Sequence, residues 1–157
     1  MQIPRIYTPQ AIRVGQTLQL EPLASQHVLR ELRLRLDEVV IVFNGEGGEY
    51  RGLLAESQKN AAVIKITQFE DANRESSLAI HLIQGISRRE RMDYVIQKST
   101  ELGVKSITPL FTERCMVKSS GDRLLKRQQH WQKVAIAAAE QSARCYIPTI
   151  KQAVKLT

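Results

Sequence analysis

Apolar positions recur at a helical interval between residues 88 and 104, in the run RRERMDYVIQKSTELGV. The positions that would form one buried face are Met92, Val95, Ile96 and Leu102. The opposite face carries Asp93, Gln97, Lys98 and Glu101. Gly103 would end the helix, because glycine readily adopts the left-handed conformation that a helix end needs. We therefore predict an amphipathic helix from Arg88 to Leu102.

Short apolar runs separated by turn residues occupy the first 70 positions. They predict strands over residues 3–7, 39–43, 50–54 and 61–66. The glycine-rich segment 44–48 lies between two of these strands, so it predicts a hairpin turn rather than a phosphate-binding loop. Ser25 is a candidate N-cap for the one helix in this region. Several strands, tight turns and one helix indicate a small β-barrel-like domain.

The pattern changes after a polar segment, residues 71–77, that we interpret as a linker. A strand over 78–86, the helix described above and a strand over 106–111 predict a parallel pair with a right-handed crossover. Residues 113–118 fit a short strand or an extended loop. A long helix capped by Asp122 would reach about Arg144, and a further strand would begin at 147–150. The predicted domains are residues 1–72 and 73–157, and the predicted fold class of the chain is α+β or α/β.

Net charge divides unequally between these two domains. Residues 1–72 hold 8 Lys/Arg and 9 Asp/Glu, whereas residues 73–157 hold 15 and 7, and the whole chain has a net charge of +7. Such an excess of positive charge is typical of a surface that binds a polyanion, most often a nucleic acid. A basic surface that only keeps the protein in solution is the alternative.

Several classes of function are not supported by any motif. The chain has neither a Walker A motif nor a G-x-G-x-x-G motif, and its His, Cys, Asp and Glu residues lack metal-ligand spacing, so we expect no metal site. No stretch approaches the roughly 20 apolar residues that span a bilayer. The N-terminal residues lack a signal-peptide pattern, and the two cysteines form no disulfide framework. We therefore expect a cytoplasmic protein without a membrane partner.

Two polar sets could carry a function. Lys98 and Glu101 lie three residues apart on one helix, and Glu140 and Arg144 lie four apart on another. A surface ion pair is the structural explanation for each set. Gln141 and Arg144, at the end of the long helix, could instead hold a base edge and a phosphate. Spacing alone favours the structural explanation.

The chain resembles the ribosomal RNA small subunit methyltransferase E family, within the SPOUT class of knotted methyltransferases. The similarity is distributed over nearly the whole chain and rests on the order and spacing of several motifs. These motifs are IPR at 3–5, HVLR at 27–30, FNGEGGEY at 43–50, QKSTELGV at 97–104, PLFTER at 109–114 and AAEQSAR at 138–144.

This resemblance implies a PUA-like RNA-binding β-barrel, followed by an α/β domain with a parallel sheet. It further implies that S-adenosylmethionine is used to methylate N3 of a uridine in 16S ribosomal RNA, and that the active site lies at a homodimer interface. The residues that would bind RNA are Arg5, Arg30, Arg33, Arg88, Arg89, Arg91 and Lys98. The candidates for the uridine-facing catalytic rim are Glu140, Gln141 and Arg144, with Glu140 as the possible base.

The chain departs from the family pattern in one respect. It lacks the Gly-Pro-Glu-Gly-Gly segment and the later Leu-Gly-rich segment that form the cofactor loops of the family. We therefore expect a fragment with an incomplete SPOUT-type domain, without cofactor-binding residues of its own and inactive as a methyltransferase on its own. An RNA-binding module without catalysis and a structural adaptor with a basic face remain the alternatives.

Overall fold

The computed structural model describes residues 3–58, 61–113 and 121–155. The chain divides into two compact units, Met1–Arg74 and Glu75–Thr157. Most of the segment for which a short strand or an extended loop was predicted, residues 113–118, lies outside the described residues. None of the described helices is long and apolar enough to cross a membrane.

The first unit is built on one five-stranded sheet. Its strands are β1 (Arg5–Tyr7), β2 (Thr17–Gln19), β3 (Val39–Phe43), β4 (Glu49–Gln58) and β5 (Ala61–Glu70). They lie in the order β1-β3-β4-β5-β2, and all neighbours are antiparallel except β1 and β3. The end strands β1 and β2 do not pair with each other within the described residues. The predicted hairpin at 44–48 connects β3 to β4, which pair with Val42 opposite Tyr50.

Alternating apolar positions from the strands form the core of this unit. Val40, Val42, Leu54 and Ile64 are fully buried. Gly52 of β4 faces this core, and a Cβ atom at this position would come within 2.4 Å of Ile64 Cγ2. A side chain at this position would therefore displace a buried isoleucine in a tightly packed interior.

The helix of the first unit begins earlier than predicted. It comprises α1 (Pro22–Gln26), with Glu21 at its N-cap, and a π-helical turn over His27–Glu31. Ser25 therefore lies inside α1, and its assignment as the N-cap was wrong. The buried Ser25 hydroxyl instead donates to the Leu20 carbonyl, at 3.0 Å, and accepts from the Ala62 amide, at 3.1 Å. The hydroxyl therefore forms hydrogen bonds with the backbone of Leu20 and of Ala62 in β5, and not with the first turn of a helix.

In its described residues, the second unit contains an all-parallel sheet with two helices. Its strands are β6 (His81–Gly85), β7 (Ser106–Phe111), β8 (Thr149–Ile150) and β9 (Val154–Lys155), and its helices are α2 (Arg89–Glu101) and α3 (Asp122–Ser142). β6, β8 and β9 each pair with β7 in parallel. The predicted order of strand, helix and parallel strand is confirmed, but the first strand begins at His81 and not at residue 78. The N-cap of α3 is Gly121, so Asp122 lies in the first turn and not at the cap.

The core of the second unit lies where both helices pack on the sheet. Met92 and Ile96 of α2 meet Ile107 of β7 and Trp131 of α3, and all four are buried. The predicted apolar face of α2 is wrong at its last position, because Leu102 is 73% exposed. Leu102 is the C-cap of α2. Its side chain therefore lies beyond the last helical turn.

Candidate nucleic-acid interface

The N-terminus of α2 and the first half of α3 form a cleft that is rich in arginine. Arg88, Arg89, Glu90 and Arg91 line it from α2, and Arg127 lines it from α3. Its volume is about 420 Å³. We call it the arginine cleft. Four guanidinium groups and one carboxylate make its lining strongly positive, so it favours an anion over a cation or a neutral ligand.

The backbone at the start of α2 adds to this preference. Arg88 is the extended N-cap residue, and the Arg91 amide donates to its carbonyl at 3.0 Å. The first amides of a helix point outward at its positive end, which favours phosphate and carboxylate groups there. Arg89 has a φ of 29°, which is uncommon for a residue other than glycine. The cleft thus lies at the positive end of α2.

Arg127 is the residue of this cleft that sequence reasoning missed. It lies 36 positions after Arg91 and reaches the cleft only because α2 and α3 pack together. His130 Nε2 and Asp93 Oδ2, which lie 2.8 Å apart, link the same two helices, two residues beyond Arg91 and three beyond Arg127. The basic residues at the start of α3 were the available signal, but no spacing rule relates them to α2.

Lys98 forms the ion pair that its spacing predicted. Its Nζ lies 2.8 Å from Glu101 Oε2 and 3.1 Å from Oε1. This hydrogen bond raises the pKa of Lys98 and lowers the pKa of Glu101. The Lys98 ammonium also lies 5.8 Å from the centre of the Tyr94 ring. Lys98 is therefore on the same helix as the cleft but carries a compensated charge.

The residues proposed for the catalytic rim lie at the end of α3. Gln141 is exposed and Glu140 is half-buried. Arg144 donates from Nε and Nη2 to the Glu101 carbonyl, at 3.0 and 2.8 Å, and its Nη1 lies 3.6 Å from Glu75 Oε2. Arg144 thus holds the C-terminal end of α2 through its last carbonyl group.

The three arginines named for the first unit differ in exposure. Arg30 and Arg33 are exposed on and just after the π-helical turn. Arg5 is buried, forms an ion pair with Glu49 and lies with its guanidinium carbon 4.8 Å from the centre of the Phe43 ring. A buried and paired guanidinium cannot contact RNA, so the prediction for Arg5 is corrected to a structural role.

Comparison with known protein families distinguishes between kinds of anion binder. Residues 74–157 match the model of the RNA methyltransferase domain, and residues 25–67 match that of the RNA methyltransferase PUA domain. The chain belongs to the RNA methyltransferase family. The resemblance to the ribosomal RNA small subunit methyltransferase E family is thereby confirmed. A PUA-like domain followed by an α/β domain with a parallel sheet is likewise confirmed.

Relatives of known sequence and structure carry this family name. The ribosomal RNA small subunit methyltransferase E of Buchnera aphidicola from Schizaphis graminum is 35% identical, over 95% of this chain and 61% of its own length. The protein of that name from Bacillus subtilis is 26% identical, over 91% of this chain and 56% of its own. This family member thus spans about 60% of the length of the curated relatives it matches.

Two solved structures are very similar to this one. A putative methyltransferase from Legionella pneumophila, with bound S-adenosylmethionine, has a TM-score of 0.95 and 42% identity over 99% of this chain and 64% of its own. The ribosomal RNA small subunit methyltransferase E of Neisseria gonorrhoeae, bound to the same cofactor, has a TM-score of 0.94 and 39% identity over 98% of this chain and 63% of its own.

The arginine cleft does not fit S-adenosylmethionine. The cofactor carries a sulfonium and an ammonium group against one carboxylate, and four guanidinium groups would repel this net cation. The cleft fits phosphate instead, because guanidinium groups pair with phosphate oxygens in two parallel hydrogen bonds. Among the described residues, no group of His, Cys, Asp and Glu side chains could hold a metal ion.

Proposed function

We propose that this chain forms the RNA-binding portion of a methyltransferase that modifies N3 of a uridine in 16S ribosomal RNA, with S-adenosylmethionine as the methyl donor. The observation that supports this most is the arginine cleft, which lies within the segment that matches the RNA methyltransferase domain. The cleft would bind the RNA backbone. Arg30 and Arg33 of the first unit would add a second contact surface, and Lys98 would act beside the cleft.

Methylation at uridine N3 requires the loss of a proton from a weakly acidic imide. A carboxylate near N3, or donors to the adjacent carbonyls, would favour the imide anion. We propose Glu140 as the acceptor of this proton and Gln141 as a donor to a carbonyl. Arg144 would support this site indirectly, because it donates to the Glu101 carbonyl and so holds the C-terminal end of α2. The arginine cleft does not fit the cofactor, and we propose that the cofactor contacts come from parts of the relatives that this chain does not match.

The setting of the reaction follows from the substrate. A ribosomal RNA substrate places the enzyme in the cytoplasm, and we propose that the complete enzyme acts as a homodimer. Size-exclusion chromatography with light scattering on a full-length relative tests the dimer, since a monomeric mass at assay concentration would contradict it.

Charge reversal in the cleft tests the RNA-binding proposal. The double variant Arg88→Glu and Arg91→Glu should bind a single-stranded 16S rRNA oligonucleotide more weakly. It should also flatten the slope of log affinity against log salt, by about 0.7 for each phosphate that the variant no longer neutralises. The matched control reverses the charges of Lys133 and Lys151, which are exposed and do not line the cleft. Equal affinities and slopes in both double variants would contradict the proposal.

Calorimetry with S-adenosylmethionine tests the proposal that this chain binds RNA but not the cofactor. We expect no saturable heat of binding with the 157-residue chain, and clear saturable binding would contradict this assignment. A methyl-transfer assay with a complete relative separates the enzyme from a pure RNA-binding module. Product formation at uridine N3 supports the first, and its absence with bound RNA supports the second.

A further inference from the structure

Tyr94 is an exposed aromatic residue on the same helix as the arginine cleft. Its exposed fraction of 61% exceeds those of Phe69 and Tyr146, at 45% and 41%, the other exposed aromatic residues in the described part of the chain. It lies three residues after Arg91 and four before Lys98. Residues at these intervals share one helix face, and Arg91 and Tyr94 are separated by about 4.5 Å along the axis.

The ring of Tyr94 is accompanied by an ammonium group that is itself held in place. Lys98 Nζ lies 5.8 Å from the ring centre and is hydrogen-bonded to both carboxylate oxygens of Glu101. Gln97 donates to the same carboxylate, at 3.1 Å. This network restrains the lysine beside the ring and compensates its charge. The excess positive charge of this face therefore lies on the cleft side of Tyr94.

A basic cleft next to an exposed aromatic ring matches the two parts of a nucleotide. The guanidinium groups suit the phosphate, and the ring suits the flat face of a base, with which aromatic side chains stack regardless of base identity. In an RNA duplex the base faces are covered by their neighbours, whereas loops and single strands leave them accessible. The combination therefore favours single-stranded RNA over duplex RNA.

We propose that Tyr94 is the stacking platform for an unpaired nucleobase of an RNA strand whose phosphates lie in the arginine cleft. This inference rests on the proposed function and specifies the form of its substrate. The strand is single-stranded or looped at this point, with one base turned toward α2. Stacking supplies affinity that does not depend on salt, and the cleft supplies the affinity that does.

Substitution of the ring tests the proposal on the full chain. Tyr94→Ala should weaken binding of a uridine-containing single strand by about 5- to 150-fold, the range expected for the removal of one base-aromatic stack. Tyr94→Phe should retain affinity within about twofold, because the ring is kept. The salt slope should not change in either variant, unlike in the cleft variants. Binding of a duplex of the same sequence should be much less affected.

Tyr146→Ala is the matched control. Tyr146 is also an exposed tyrosine of the second unit with a lysine over its ring, Lys105 Nζ at 4.5 Å from the centre. It lies just before β8 and not on α2, so its removal should leave RNA affinity unchanged. Circular dichroism should show that all three variants remain folded.

Four outcomes would overturn the proposal. Unchanged affinity in Tyr94→Ala, with weaker binding in the cleft variants, would exclude stacking but leave the proposed function intact. An equal loss in Tyr94→Phe would assign the effect to the hydroxyl group. A change in self-association without a change in RNA affinity would assign Tyr94 to an interface between copies of the chain. If the unaltered chain binds no RNA, the proposed function fails as well.

Discussion

Replacement of Glu49 by glutamine should strongly destabilise the first unit. The Glu49 carboxylate is 2% exposed and accepts hydrogen bonds from Arg5 and from Arg74, whose Nη1 and Nη2 lie 2.9 and 3.1 Å from its oxygens. The Arg5 side chain is only 5% exposed, whereas that of Arg74 is 42% exposed. Removing the negative charge would leave the Arg5 guanidinium buried without charge compensation from Glu49.

The expected loss follows from this difference in burial. Removal of one partner of a buried ion pair costs about 3–5 kcal/mol, because the other charge stays away from water. We expect about 3 kcal/mol for Glu49→Gln, since the amide oxygen can still accept a hydrogen bond. For a domain of this size that corresponds to a fall in Tm of roughly 10–20 °C. Arg74→Gln is the control and should cost about 1 kcal/mol, because water already reaches that side chain.

The effect should also depend on pH. Burial disfavours the charged form of Glu49, but hydrogen bonds from Arg74 and Arg5 outweigh burial and hold its pKa below the ordinary value. A carboxyl group with a lowered pKa stabilises the fold above its unfolded pKa, about 4.3, and this stabilisation is lost as the pH falls through the folded pKa. The difference in Tm between the original chain and Glu49→Gln should therefore be constant near pH 7 and narrow below about pH 4.

Differential scanning calorimetry of the full chain from pH 3 to pH 7 measures both effects. A loss in Tm of less than about 3 °C at pH 7 would refute the assignment of a buried, charge-dependent triad. A difference in Tm between the original chain and Glu49→Gln that stays constant down to pH 3 would refute the electrostatic origin of the stabilisation by Glu49.

Three other substitutions test contacts within the units. Ser25→Ala should cost about 1–3 kcal/mol in urea denaturation, because the buried Ala62 amide loses its acceptor, and an unchanged midpoint would contradict this. Gly52→Ala should lower Tm through about 1–3 kcal/mol of overpacking, since its Cβ would meet Ile64 at 2.4 Å, and a stable variant would show that the core yields easily. Arg144→Lys should speed amide hydrogen exchange in the last turn of α2, because lysine cannot reproduce the paired guanidinium contacts to its last carbonyl; identical exchange rates would speak against a holding role.

The elements that the sequence predicts well are those with long, uniform patterns. The strands Val39–Phe43 and Ser106–Phe111 have the predicted bounds. The first is a continuous run of β-branched and aromatic residues, which suit a strand. α2 begins and ends within one residue of its prediction, since its 3.6-residue period is clear. β2 was missed, because only Leu18 of its three residues is buried and so short a strand has no period.

The errors arise where a residue's partner is distant in the sequence. Serine is a residue type typical of an N-cap, but the Ser25 hydroxyl accepts a hydrogen bond from the Ala62 amide, 37 residues away. Arg5 belongs to the IPR motif, but its guanidinium pairs with Glu49 and lies over the Phe43 ring. Arg127 was not selected, because its position beside Arg91 depends on helix packing. The sequence thus predicted the helix end that carries the candidate site but not the second helix that completes it.

The central claim is that the arginine cleft binds RNA, and an NMR titration of the 15N-labelled chain with a single-stranded RNA oligonucleotide tests it most directly. If RNA binds in the cleft, the largest shift changes occur at the amides of residues 88–94 and around Arg127. Shift changes that spare both segments and lie elsewhere on the chain would contradict it.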